Sequence, residues 1–111
     1  MSRRNDATSL RHMLDHAGEI LSLAQGRSLE DLENDRNLEL SLLHLLALLG
    51  ESAGRVSEAF QTAHPEVPWA LIIATRNFLL HAYDRVNRRT VWRTATEDIP
   101  PLAKTLERLL G

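Results

Sequence analysis

Between Leu38 and Leu49 the chain carries eight leucines, broken in charge only by Glu39 and His44. A run this apolar has to be buried. It is also far short of the about 20 residues that a helix needs to cross a bilayer. A core helix meets both conditions, so the fold must supply neighbours able to cover it.

The neighbours are helical too. Leu10, Met13, Leu14, Ala17, Ile20, Leu21 and Ala24 recur at three- and four-residue steps, the pattern of one apolar stripe on a helix of about five turns. Gly26 is placed to stop it. Ser28 and Asp31 have capping-box spacing and predict a short second helix. Asn34 or Asp35 caps a third helix predicted to run to about Phe60, with Leu38, Leu42, Leu45, Leu46, Leu49, Val56 and Phe60 on its core face. Gly50 and Gly54 lie one turn apart inside it. Each costs about 1 kcal/mol against alanine, and close approach of another helix is the physical reason to carry both.

Pro65 and Pro68 end that segment, and Pro68 is predicted to open a fourth helix bearing Trp69, Ile72, Ile73, Leu79, Leu80 and Tyr83. A last helical region is predicted over Thr90 to Leu110, bent at Pro100 and Pro101, with Leu102, Leu106, Leu109 and Leu110 facing inward. No repeat or linker divides the 111 residues. The expectation is one all-α domain over 1–111, a bundle of four to five helices.

Composition narrows the function classes. Five aromatics, four prolines and five glycines argue against a β-rich sandwich. The absence of cysteine excludes disulfides, thiolate zinc sites and a thiol nucleophile. With no visible secretion signal, the cytoplasm is the expected location. A net charge of −2 and a pI near 6.2 give no global attraction to nucleic acid, so any such binding needs a local cluster. His12 and His16 have a spacing compatible with a shared metal, but both lie off the apolar stripe and no third ligand is near in sequence; they are expected to face solvent. His44, among leucines, reads as a core or helix-contact histidine, and His64 has no recognisable role.

Chemistry concentrates between residues 76 and 87. Arg76, His81 and Tyr83 offer a permanent cation, a group that titrates near neutrality and a phenol within eight residues. On an ideal helix turning about 100° per residue, Arg76 and Tyr83 fall within about 20° of each other, whereas His81 lies about 140° from Arg76. One straight helix cannot aim all three at a point: either it distorts or ends near His81, or a second protomer completes the site. From Arg76 to Arg93 five arginines face one acid, Asp84, a local net charge of +4. Arg85, Arg88, Arg89 and Arg93 are candidates for a phosphate-binding rim.

The stretch Arg76-Asn77-Phe78-Leu79-Leu80-His81-Ala82-Tyr83 resembles the signature of the HEPN superfamily, and its continuation Asp84-Arg85-Val86-Asn87 is similar to the HepT branch. Gly50-Glu51-Ser52-Ala53 before Val56-Ser57, His64-Pro65-Glu66-Val67-Pro68-Trp69, Ile72-Ile73, Val91-Trp92 and Thr96-Glu97-Asp98-Ile99-Pro100 match the same pattern in order. The resemblance implies an all-α homodimeric ribonuclease toxin of a type VII toxin–antitoxin pair, with no metal or cofactor. It assigns catalysis to Arg76 and His81, substrate contacts to Asn77, Arg85 and Arg88, and RNA, with tRNA favoured, as substrate. The implied partner is a minimal nucleotidyltransferase antitoxin that transfers AMP to Tyr83. The chain departs from the family at Asn87, where an acid is usual, at His44, where an arginine is usual, and at Ala47, near a usual glutamate.

Two other classes compete with the ribonuclease. A non-catalytic subunit that binds a nucleotidyltransferase and helps hold a nucleotide uses the same arginines without cleaving RNA. A DNA-binding regulator needs a basic recognition helix, and the short basic stretch of this acidic chain is a poor one.

Overall fold

A computed structural model describes residues 3–111. The first long helix, α1 (Arg3–Ala24), buries Leu10, Met13, Ala17 and Ile20 along the expected stripe. Gly26 ends it in the left-handed region at φ 72°, a conformation that favours glycine. The capping box forms as read: Ser28 Oγ accepts from the Asp31 N–H, Asp31 accepts from the Ser28 N–H, and α2 (Leu29–Asn34) follows.

Asp35, not Asn34, caps α3 (Arg36–Gly54) by accepting from the Leu38 N–H at 3.1 Å. The leucine run lies on this helix, and Leu38, Leu42, Leu45, Leu46 and Leu49 are buried. The helix does not continue to Phe60. It stops at Gly54, and α4 (Glu58–Ala63) restarts beyond Ser57. The cause is a contact 51 residues away: Asp6 of α1 accepts the Ser57 N–H at 2.8 Å and its hydroxyl at 2.7 Å. Ser57 Oγ in turn accepts from the Phe60 N–H and caps α4. Local periodicity alone cannot register that competitor.

Pro68 sits at the N-cap of α5 (Trp69–Ala82), so the helix starts one residue later than expected. The turn before it is fastened by the Trp69 indole N–H donating to the His64 carbonyl at 2.9 Å, with Phe60 stacked on His64 at 4.2 Å. His64 thus has a structural role that the sequence did not disclose. A 3₁₀ turn (Tyr83–Arg85) leads to α6 (Arg88–Arg93).

From α6 the chain passes through one π-helical turn (Thr94–Asp98) into α7 (Ile99–Leu110). The predicted irregularity therefore falls just before Pro100 and Pro101 rather than at them. Neither proline can donate to the carbonyl four residues back, and both rings crowd those carbonyls. The helix widens instead, and the Ile99 N–H reaches back five residues to the Thr94 carbonyl.

Helix α3 is central, with α1 on one side and α5 on the other, while α7 lies along α1. One apolar cluster runs from Leu10 of α1 through the α3 leucines to Leu106 of α7. The fold is all-α among the described residues, with α1, α3, α5 and α7 as its long members. No described helix is long and apolar enough to cross a membrane.

Candidate ribonuclease site

Helix α5 packs on α3 and on little else. Its own composition is apolar almost all round, yet only Trp69 and Leu79 are buried, and Leu71, Phe78 and Leu80 are 65%, 48% and 53% exposed. A helix of that kind is built to be covered on more than one face.

Arg76 leaves α5 on the side that meets α3. The contact is with Gly50: a Cβ there would collide with the Arg76 Cβ and lie 2.9 Å from the Ile72 carbonyl oxygen. Gly50 therefore lets the two helices approach and sets where the arginine side chain starts. Gly54 has nothing within 4 Å of its missing Cβ, so close packing accounts for the first glycine only. Beyond that contact Arg76 Nη1 donates to Asn77 Oδ1 at 3.1 Å, and the neighbouring amide steadies the guanidinium.

His81 lies in the last turn of α5 and is exposed. The helix ends one residue later, at Ala82, where φ −144° and ψ 35° leave the helical region. The end of α5 falls just past His81, so Arg76 and His81 keep their helical divergence within one chain. That end also removes the basis for placing Tyr83 on the Arg76 face, because the 100° rotation no longer applies beyond Ala82. Tyr83 instead opens the 3₁₀ turn, 62% exposed, and its hydroxyl makes no hydrogen bond among the described residues.

The arginines divide. Arg85, Arg89 and Arg93 are exposed and have no ion-pair partner among the described residues. Arg88 is tied to Glu39 of α3, its Nε 2.7 Å from Oε2 and its Nη2 3.5 Å from Oε1. Arg36 Nη1 donates to the same carboxylate at 2.8 Å. The Arg88 hydrogen bond, opposed by burial and aided by Arg36, holds the Glu39 carboxyl below the ordinary glutamate value, and Glu39 in turn raises Arg88. The signal for this pair was an acid inside a leucine run. Asn87, the residue that replaces an acid of the family pattern, caps α6 by accepting from the Thr90 N–H at 3.2 Å.

The histidines at the sequence margin sort differently from expectation. His44 is exposed rather than buried among the leucines, because the run is wide enough to cover its core face without it. His12 is exposed, while His16 is half-buried beside Glu19 at 3.9 Å with its Nδ1 otherwise unpaired. Among the described residues no three His, Asp or Glu side chains converge in a way that could hold a metal ion. A groove of about 780 Å³ lies between α5 and the α6–α7 arm. It is lined by Leu71 and Phe78 and by charges of both signs, Arg85 and Arg93 with Glu97 and Asp98, and does not include Arg76, His81 or Tyr83.

The all-α chain thus seats Arg76 against α3 and leaves His81 exposed in the last turn of the same helix. The Ribonuclease HepT-like family profile matches residues 13–109, and the chain belongs to that family. It is 35% identical over 80 residues to "Probable ribonuclease HepT" of Thermococcus cleftensis, covering 72% of this chain and 73% of that one. It is 32% identical over 101 residues to "Putative RNase TTE0752" of Caldanaerobacter subterraneus subsp. tengcongensis, covering 91% and 90%. No solved structure gives a significant match. Family membership and these relatives support ribonuclease activity.

Proposed function

We propose that the chain is a metal-independent endoribonuclease toxin, active as a homodimer and silenced by AMP transfer to Tyr83. The observation that carries this reading is the pairing of an arginine fixed by helix packing with an unencumbered histidine on the same helix, in a chain of the HepT-like family.

The chemistry follows from the residue types. His81 accepts the proton of an RNA 2′-hydroxyl, whose oxygen attacks the adjacent phosphorus while the 5′-oxygen leaves and takes up a proton. Arg76 stabilises the charge that grows on the non-bridging oxygens, and Asn77 steadies Arg76 through the bond described above. The products are a 2′,3′-cyclic phosphate and a free 5′-hydroxyl. Because the nucleophile belongs to the substrate, the scheme needs no metal-activated water. Arg85, free of ion pairs, supplies phosphate contacts on the flank, whereas Arg88, the other arginine that the resemblance assigns to substrate, is engaged by Glu39. A tRNA is the favoured substrate.

The open faces of α5 support the dimer. Arg76 and His81 diverge by about 140° around one helix, so one protomer aims them apart, and two α5 helices facing each other bring both types of residue to a shared cleft. Tyr83 supports the partner: a phenol that is exposed and unbonded can be reached by a minimal nucleotidyltransferase. Its oxygen attacks the α-phosphorus of ATP, pyrophosphate leaves, and the phenolic proton is released. The added phosphate places negative charge beside the site that RNA phosphate must occupy.

The test is cleavage of total RNA and tRNA by protein shown by mass spectrometry to carry no AMP, in the presence of chelator. His81→Ala is expected to lower the rate by about 10²–10⁴-fold, and Arg76→Ala by about 10²–10³-fold, both with helicity kept. If unmodified wild type cuts nothing, or the variants cut equally well, the ribonuclease reading fails. The non-catalytic nucleotidyltransferase-binding subunit then replaces it.

A further inference from the structure

We propose that Glu39, through Arg88, is a positioning residue for the segment that follows His81 and carries Tyr83. The inference rests on the ribonuclease reading for its catalytic consequence, but not for its structural content. Between Ala82 and Val86, which packs half-buried against the core, the chain has little to hold it: no residue of the 3₁₀ turn is buried, and its closing hydrogen bond, Val86 N–H to the Tyr83 carbonyl, is long at 3.4 Å. Such a segment takes its geometry from its two ends.

The upstream end is α5, set against α3 by Gly50 and Leu79. The downstream end is the start of α6, where Asn87 caps and Arg88, the first residue, bonds Glu39. Glu39 is a firm reference. Its side chain is 7% exposed, it belongs to the central helix, and Arg36 holds its other oxygen. Glu39 and Gly50 stand about 16 Å apart along α3 at about 1.5 Å per residue. One rigid helix therefore references both sides of the site, the α5 residues Arg76 and His81 through Gly50 and the Tyr83 segment beside them through Glu39.

Burial makes the acid unusual. A carboxylate taken out of water in a leucine-rich helix is weak as a source of stability, since desolvation offsets much of the attraction. Fixing one geometry is the use that remains. The alternative is that Arg88 serves RNA directly and Glu39 merely shields it, which predicts the opposite effect of removing Glu39.

The experiment compares the full-length wild type with Glu39→Gln, Arg88→Gln and the double variant, each checked for a cooperative melt. Cleavage gives kcat and KM on one tRNA, and hydrogen exchange is followed over residues 82–91. Each single variant is expected to lose about tenfold in kcat with KM within about twofold, and the double variant to lose no more than either single. Exchange over 82–91 is expected to speed about tenfold, with the amides of α1 unchanged. The proposal is overturned if Arg88→Gln raises KM at constant kcat while Glu39→Gln tightens RNA binding, if exchange is unaltered, or if it speeds with kcat untouched. Should wild type cut no RNA, the ribonuclease reading falls by itself, and exchange still decides whether Glu39 holds the segment.

Discussion

Asp6 and Glu39 are the acids buried among the described residues, and each is kept charged by specific donors. For Asp6, burial pushes the carboxyl up, but the Ser57 hydroxyl and backbone N–H together outweigh it and leave the pKa below the ordinary value of 3.8. A depressed folded-state pKa contributes stability that is present above the unfolded value and is lost as pH falls through the folded one. Asp6→Asn is thus expected to cost about 1–2 kcal/mol at neutral pH. The gap to wild type should begin to narrow as pH falls below about 4, the unfolded-state value, and close as pH passes the lower folded-state one. Thermal melts of both proteins from pH 7 to pH 3 check this, and a difference constant across that range would refute it. Neither Asp6 nor its partner could be paired from sequence, because 51 residues separate them and nothing local marks either one.

At the scale of elements, the two glycines of α3 make a controlled comparison. Both occupy a helix one turn apart, so intrinsic propensity treats them alike. Gly50→Ala drives a methyl into Arg76 and the Ile72 carbonyl, and is expected to cost about 1–3 kcal/mol as α3 and α5 separate. Because Arg76 moves with that contact, RNA cleavage should fall further than stability alone explains. Gly54→Ala meets open space and should be neutral or stabilising by up to about 1 kcal/mol. Denaturation midpoints of the two variants settle the matter, and equal effects would show that Gly50 is not a packing glycine. The helices themselves were legible: the α1 stripe, the Ser28–Asp31 box and the core face of α3 follow from spacing. The break at Gly54 and the π turn at Thr94–Asp98 were not placed. One depends on Asp6, the other on how the chain relaxes around Pro100 and Pro101.

For the whole molecule, the open faces of α5 carry the main expectation. Leu71 and Phe78 stand seven residues apart on one face and remain largely in water. Burying the pair in a second copy is worth several kcal/mol, at about 1.5–3 kcal/mol per large side chain. Leu71→Glu with Phe78→Glu should shift the protein to monomer and abolish cleavage while leaving the fold intact. Sedimentation and circular dichroism read the two effects separately. A double variant that sediments like wild type would remove α5 from the interface.

What the sequence by itself determined is the class of fold, the family pattern and which side chains are candidates for the chemistry. Periodicity, caps and motif order are local properties, written within a few residues. The tertiary structure decided where those side chains stand. It ended α5 at Ala82, so Tyr83 left the helix face that rotation had assigned to it. It seated Arg76 against Gly50, exposed His44, and joined Arg88 to Glu39 across 49 residues. Each outcome is a competition between a local preference and a contact distant in the chain, and only packing in three dimensions brings the competitors together.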